Sequence, residues 1–215
     1  MRQPLTVGIL AEHKNQWEKR APLTPQDVAW LRARNIDVEV ASSDLRIYSD
    51  QDYRKAGAQI VRQFKDARLL IGIKEPRAGQ LYPKCIYMVF SHTTKGQKKN
   101  RPLLRAFVKK HITLIDYEHI LDPQNERLVY FGRFAGVCGM LDTLHLLGLR
   151  HKALGLSSPF QTIRHSLNYK SLDEAKDHLV KVRRRIYRNG MARRLAPFII
   201  GITGHGNVAQ GVNET

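Results

Sequence analysis

Three ionisable side chains directly follow apolar runs that predict buried strands. Lys74 follows LLIGI, His92 follows IYMVFS and Glu118 follows ITLIDY. In α/β proteins the carboxyl ends of parallel strands meet at one edge of the sheet, and ligands bind there. A lysine and a histidine at that edge can share proton transfer if burial or nearby cations bring the lysine pKa towards neutrality. The alternative is that Lys74 and Glu118 are solvated strand ends and that His92 is a turn residue.

A second pattern with chemical meaning is GHGNVA at residues 204–209, which follows the apolar run PFIIGIT. A strand followed by G-x-G-x-x-A at the start of a helix is typical of dinucleotide binding. Gly204 permits the tight turn, Gly206 lets the backbone approach a pyrophosphate, and Ala209 lets the helix pack closely on the strand. The candidate cofactor-binding residues are Gly204, Gly206, Asn207 and Val208. The acidic residue that holds the ribose, expected about 20 residues later, would lie beyond this chain. A plain glycine turn is the alternative.

The elements that must position these residues alternate between short apolar runs and amphipathic stretches, which predicts an α/β fold. Strands are predicted at residues 5–11, 36–41, 67–73, 85–90, 112–115, 128–131 and 197–203. Helices are predicted after the N-caps Thr24, Ser49 and Ser171, and at residues 97–110 and 134–149. The last of these is apolar nearly all round, so we interpret it as a buried helix that joins two lobes. The predicted domains are residues 1–133 and 134–215.

Composition sets limits on the class of protein. The 215 residues include 36 Lys and Arg against 19 Asp and Glu, a formal charge of +17. Such a surface suits nucleic-acid phosphates, polycarboxylate substrates or plain solvation. We interpret the arginine run 183–185 as a solvated helix face.

The two cysteines, Cys85 and Cys138, form no disulfide framework, and no metal-ligand spacing is present, so no metal site is expected. Apolar runs are too short for a membrane span, and the N-terminus lacks the features of a secretory signal. A reduced, cytoplasmic protein is the expectation.

The sequence also resembles a known family along essentially its whole length. It is similar to the lysine–2-oxoglutarate reductase part of the bifunctional aminoadipic semialdehyde synthases. A more distant resemblance is to the fungal lysine-forming saccharopine dehydrogenases, and both belong to the alanine dehydrogenase and transhydrogenase-like superfamily. The matching segments are GILAEHKNQWEKRAPLTP, LLIGIKEP, FSHTTKGQ, LIDYEHI, VYFGRFAGVCGMLDTLHLLGLR and GHGNVAQG. KRAPLTP and FSHTTKGQ are the most specific of these segments.

The resemblance implies a fold and a reaction. The fold is a Rossmann-like N-terminal catalytic lobe and the truncated start of a second, nucleotide-binding Rossmann lobe, with the active site in the cleft between lobes. The reaction is the reductive condensation of L-lysine with 2-oxoglutarate to saccharopine, with NADPH or NADH as the cofactor. The substrates and product would be small molecules. The FSHTTKGQ segment argues against alanine as the substrate.

The resemblance also implies roles for individual residues. Lys74 and His92 would be the acid–base pair, and Glu118 would tune the charge near them. Saccharopine carries three carboxylates, so its site needs cations, and guanidinium groups bind carboxylates in a bidentate manner. The residues implied for substrate binding are Arg20, Gln97, Glu118, Arg127 and Phe131.

Several expectations concern the context of the chain. The resemblance implies that much of the second lobe would follow Thr215, so we expect little hydride transfer by the chain alone, and a missing second lobe or a homo-oligomer as a partner. A mitochondrial location is the alternative to a cytoplasmic one if a longer precursor exists. The competing function is a non-catalytic or regulatory module whose basic surface binds an acidic partner or nucleic acid, although we do not expect nucleic acid.

Overall fold

The computed structural model describes residues 5–215, which form two compact units. The first unit ends at Val129, and the second runs from Tyr130 to Thr215. Residues 1–4, the start of the segment in which no secretory signal is expected, lie outside the described residues. No helix within the described residues combines the length and the apolar composition needed to cross a bilayer.

A parallel sheet forms the centre of the first unit. Within the described residues it has six strands in the order β3-β2-β1-β4-β5-β6. The strands are β1 (Thr6–Ile9), β2 (Asp37–Ala41), β3 (Gln59–Val61), β4 (Leu69–Ile71), β5 (Ile86–Val89) and β6 (Thr113–Asp116). The chain runs outward from β1 to β3 and then returns to β4 on the other side of β1. This is the Rossmann strand order, with its switch point between β1 and β4, and it confirms the predicted α/β fold.

Three α-helices pack on this sheet: α1 (Pro25–Arg32), α2 (Asp50–Lys55) and α3 (Arg101–Lys109). The predicted N-caps Thr24 and Ser49 are confirmed, since each accepts a hydrogen bond from the backbone three residues later in a reciprocal capping box. These bonds satisfy backbone N–H groups that a helix start otherwise leaves unpaired.

Apolar side chains cover both faces of the sheet, as continuous strand runs such as LLIGI predict. One cluster contains Ile9, Val28, Val40 and Tyr53. Another contains Leu70, Tyr87, Leu103 and Phe107. Because both faces are buried, the strands are fixed, and their carboxyl ends form a rigid edge.

The second unit is helical in the part that the structure describes. Its helices are α4 (Gly132–Ala153), α5 (Leu172–Asn189) and α6 (Asn207–Glu214). Apolar residues of α5, including Ala175 and Val182, pack with residues of α4. Helices α4 and α6 cross at glycines: a Cβ added to Gly136 or Gly211 would overlap the backbone of the other helix.

Two predicted strands do not form, one strand was missed, and one helix has different bounds. Residues 128–131 form no strand; only an isolated bridge joins Leu121 and Arg127 in this region. Residues 197–203 form no strand, and the described part of the second unit contains no strand that could pair with them. Strand β3 was not predicted, since it is a three-residue edge strand with little apolar signal. Helix α4 also extends beyond its predicted bounds of 134–149.

Candidate active site

The three predicted strand-end residues follow neighbouring strands. Lys74 comes three residues after β4, His92 three residues after β5, and Glu118 two residues after β6. Strands β4, β5 and β6 are adjacent in the sheet. The fold of the first unit therefore gathers these side chains at one edge, as the sequence argument expects for parallel strands.

His92 occupies an unusual backbone position. Its φ is 51°, a left-handed conformation that is uncommon outside glycine. The carbonyl of His92 accepts a hydrogen bond from Asn100 Nδ2 at 2.8 Å, and the Phe90 ring stacks with the imidazole at a centroid distance of 6.4 Å. The preceding Ser91 is fully buried and bonded to Asp116. These hydrogen bonds hold the chain on both sides of His92, and the Phe90 ring packs against its imidazole.

Glu75 links the lysine strand end to the histidine. Its Oε2 lies 3.3 Å from His92 Nδ1, and its Oε1 accepts a bond from Lys14 Nζ. Oε2 is buried and has no hydrogen-bond partner among residues 5–215. Burial favours the neutral acid, but the Lys14 ammonium and His92 outweigh it and lower the pKa of Glu75. This contact places the Glu75 carboxylate beside Nδ1 of His92, so Nε2 is the ring nitrogen that Glu75 leaves available for chemistry.

Glu118 is the second buried carboxylate near His92. Its Oε1 accepts from Lys95 Nζ at 3.1 Å and from Arg127 Nη1 at 3.2 Å. Desolvation alone would raise the pKa of Glu118, but Lys95, Arg127 and His92 together lower it. Glu118 therefore stays charged, and it holds the two cations at the edge of the sheet.

Glu12 positions Lys74 through hydrogen bonds to the backbone. The Glu12 carboxylate accepts from the N–H groups of Ile73 at 2.6 Å and Lys74 at 3.0 Å, which ties the end of β1 to the end of β4. Burial outweighs these two bonds and raises the pKa of Glu12.

The buried Glu18 carboxylate and Arg20 form a bidentate pair near Lys74. Arg20 donates from Nε at 2.7 Å and from Nη2 at 2.5 Å. The positive charge of Lys74, together with that of Arg20, helps to lower the pKa of Glu18. Carboxylates thus lie near both the lysine and the histidine, and their negative charge offsets the positive charge that a proton brings to either group.

The remaining predicted residues take different positions. Gln97 Oε1 accepts from Asn100 Nδ2 at 3.4 Å, so Asn100 connects Gln97 with the His92 carbonyl. Phe131 lies in the second unit, at the N-cap of α4, with 37% of its surface exposed.

The glycine turn GHGNVA also lies in the second unit. Gly204 has a φ of 87°, Gly206 is the N-cap of α6, and Ala209 is buried. A Cβ at Gly204 or Gly206 would meet no atom within 4 Å. The backbone of this turn is therefore open to a ligand, as a dinucleotide fingerprint requires.

Sequence reasoning missed five charged residues of the first unit that surround the acid–base pair: Glu12, Lys14, Glu18, Glu75 and Lys95. Two of them carried a readable signal, because Glu75 follows Lys74 directly and Glu12 follows the first strand. The roles of the others depend on loop conformations that no local pattern specifies.

The Glu18–Arg20 ion pair should make the free energy of unfolding depend on pH in the acid range. The folded-state pKa of Glu18 lies below its ordinary value of 4.5, because bonds and charge from Arg20 exceed the cost of burial. Its stabilising contribution is therefore present above pH 4.5 and lost as the pH falls below that value. We expect Glu18→Gln to lower the free energy of unfolding by about 1 kcal/mol at about pH 6, and by less at about pH 3.

Urea denaturation at the two pH values measures this difference. Glu126→Gln is the control, because Glu126 is exposed and its carboxylate has no ion pair or hydrogen bond among the described residues. A Glu18→Gln effect that stays constant with pH would contradict the stabilising role of the ionised pair.

Comparisons with known proteins agree with this architecture. Residues 8–138 match the family described as alanine dehydrogenase/PNT, N-terminal domain. The chain is 40% identical over 214 residues to an alpha-aminoadipic semialdehyde synthase of Arabidopsis thaliana, covering 97% of this chain and 20% of that protein. It is 37% identical to a mitochondrial alpha-aminoadipic semialdehyde synthase of Bos taurus, covering 97% of this chain and 22% of that protein.

Two further matches are more distant. A saccharopine dehydrogenase [NAD(+), L-lysine-forming] of Neurospora crassa is 28% identical, covering 96% of this chain and 54% of that protein. The solved structure of an L-alanine dehydrogenase superposes with a TM-score of 0.57 and 25% identity, covering 71% of this chain and 43% of that one. The chain spans about a fifth of the length of the two synthases. The resemblance read from the sequence is confirmed, and the chain belongs to the alanine dehydrogenase/PNT N-terminal domain family.

Proposed function

We propose that this chain carries the acid–base part of an oxidoreductase of lysine degradation, which condenses L-lysine with 2-oxoglutarate and reduces the product to saccharopine. The names of the Arabidopsis and Neurospora relatives support the substrate class. The observation that carries the proposal is the His92 imidazole, 3.3 Å from the buried Glu75 carboxylate, with Lys74 adjacent to Glu75 in the chain. The Bos taurus name supports the mitochondrial alternative for the location.

The reaction needs two groups that exchange protons. The ε-amine of lysine must lose a proton before it attacks the ketone, and the resulting carbinolamine must gain a proton to release water. We assign these transfers to Lys74 and His92. Glu75 orients the imidazole through Nδ1. The negative charge of Glu18 interacts with the charge on Lys74, and that of Glu118 interacts with the charge on His92.

The substrate carboxylates need cationic partners. Arg127 commits one nitrogen to Glu118 and stays exposed, so its other donors suit a carboxylate. Arg20 is the second candidate, with its guanidinium oriented by Glu18. Gln97 and Phe131 complete the proposed substrate residues.

The cofactor is proposed to be a nicotinamide dinucleotide, NADP or NAD. The turn in the second unit fits this group, because Gly204 and Gly206 leave the backbone open at the N-terminus of α6. Gly204, Gly206, Asn207 and Val208 would hold the pyrophosphate through their N–H groups. When bound, the nicotinamide supplies the hydride that reduces the imine.

A binding experiment tests the proposal against its competitor. We expect calorimetry to detect saccharopine binding by the chain, and Arg127→Ala to weaken it about tenfold or more, because a charged hydrogen bond is lost. Arg101→Ala is the matched control, since Arg101 is an exposed arginine at the start of α3.

The competing function is a basic module for nucleic acid. It predicts no saccharopine binding and a nucleic-acid affinity that falls steeply with salt. The basic stripe on α5, which includes Arg183, Arg184 and Arg188, is the observation that favours it. That outcome would overturn the enzymatic proposal.

A further inference from the structure

A cleft of about 470 Å³ opens in the first unit beside the acid–base pair. Its walls come from the segments that follow β1, β3 and β4, and from residues 79–83. It therefore lies at the switch point between β1 and β4, the place where α/β sheets of this order take ligands. Lys74 lines the cleft, but His92 does not, so the cleft extends from the lysine side of the pair.

The charges that line the cleft are unevenly paired. Its two carboxylates are engaged, because Glu12 accepts two backbone N–H groups and Glu75 accepts from Lys14. By contrast, the guanidinium groups of Arg62 and Arg77 make no ion pair or hydrogen bond within residues 5–215. Arg62 and Arg77 are exposed, and two arginines that line one cleft without a carboxylate partner suit an anionic ligand.

Arg62 and Arg77 differ from the two arginines already proposed to bind the substrate. Arg20 is bonded to Glu18, and Arg127 is bonded to Glu118. Saccharopine has three carboxylates, two on its glutamate half and one on its lysine half. Arg20 and Arg127 can pair with two of these carboxylates, which leaves a third carboxylate without an assigned cation.

The shape and walls of the cleft suit a chain that ends in such a carboxylate. Leu10, Phe64 and Leu81 supply apolar wall on which methylene groups can pack. The Arg62–Phe64 segment is also anchored, because the buried Glu39 carboxylate accepts from the backbone N–H groups of residues 65, 66 and 67 at 3.2 to 3.4 Å. The cleft is thus partly preorganised, which lowers the cost of binding.

We propose that this cleft binds the lysine half of the substrate, with its α-carboxylate at Arg62 and Arg77 and its methylene chain along the apolar wall. The inference rests on the proposed function and adds to it a subsite that selects lysine by the far end of the molecule. Lys74 lines the same cleft, so it would meet the reacting amine of a ligand bound there.

The test compares two ligands that differ only in the carboxylate. One is saccharopine, and the other is its analogue in which hydrogen replaces the carboxylate of the lysine half. We expect Arg62→Gln and Arg77→Gln each to weaken saccharopine binding about tenfold in calorimetry, and to leave the affinity for the analogue within about twofold. Arg54→Gln is the matched control, because it removes an exposed arginine of α2 that does not line the cleft.

The other results overturn the proposal. Equal weakening of both ligands would mean that the arginines act only through general charge, and no change beyond that of Arg54→Gln would mean that the cleft does not bind this half. In either case, retained binding that is sensitive to Arg127→Ala would leave the proposed function standing. Failure of the unmodified chain to bind saccharopine would overturn both.

Discussion

Replacing Lys74 with methionine is expected to lower the turnover number for saccharopine formation by about a hundredfold to ten-thousandfold, the usual contribution of a positioned acid or base. Methionine keeps the length and much of the volume of lysine but cannot exchange a proton. The backbone of this residue is held by Glu12 and not by its own ammonium, so the fold should survive. The measurement is the loss of reduced-nicotinamide absorbance with lysine and 2-oxoglutarate. It uses a protein that contains this chain and whose unmodified form has measurable activity.

Two companion variants separate chemistry from structure. Lys55→Met, at the end of α2, makes the same substitution outside the site and should leave turnover within about twofold. His92→Gln should lower turnover by a comparable factor to Lys74→Met and should remove one limb of the pH–rate profile. Full activity of Lys74→Met, or an unchanged pH profile in both variants, would show that the pair does not transfer the protons.

Features that local sequence patterns control could be predicted from the sequence. Apolar runs such as LLIGI place Lys74 at a strand end, and the capping boxes at Thr24 and Ser49 start helices where expected. Parallel strands align their carboxyl ends, so the gathering of Lys74, His92 and Glu118 at one edge follows from the element order alone.

The rest depends on contacts between distant parts of the chain. The bond from Lys14 to Glu75 spans 61 residues, and the bond from Lys95 to Glu118 spans 23. No periodicity encodes such pairs, because the partners lie in loops or, for Glu118, in a short 3₁₀ helix, and the packing of the sheet sets the conformation of these segments. The unpaired run 197–203 shows the converse, since strand-like composition makes a strand only where a neighbour offers hydrogen bonds.

The close contact between α4 and α6 should make the second unit sensitive to substitution of Gly211. We expect Gly211→Ala to lower the free energy of unfolding of the second unit by about 3 kcal/mol or more, because its Cβ would overlap the backbone carbonyl of Arg133. A backbone atom in a helix cannot rotate away as a side chain can, so the helices must separate. Ion pairs from Arg133 and Lys176 to Glu214 then lose their geometry as well.

Hydrogen exchange of the amides in α6, together with thermal unfolding, measures the effect. Gly139→Ala is the matched control on α4, since its Cβ would meet no atom within 4 Å. Alanine is the better helix former, so this control should gain about 0.5 to 1 kcal/mol. Opposite signs at two glycines would show that Gly211 is required for close approach. If Gly211→Ala were instead as stable as Gly139→Ala, helix α6 would not pack on α4 through this contact, and the turn that precedes it would lose its proposed support for a cofactor.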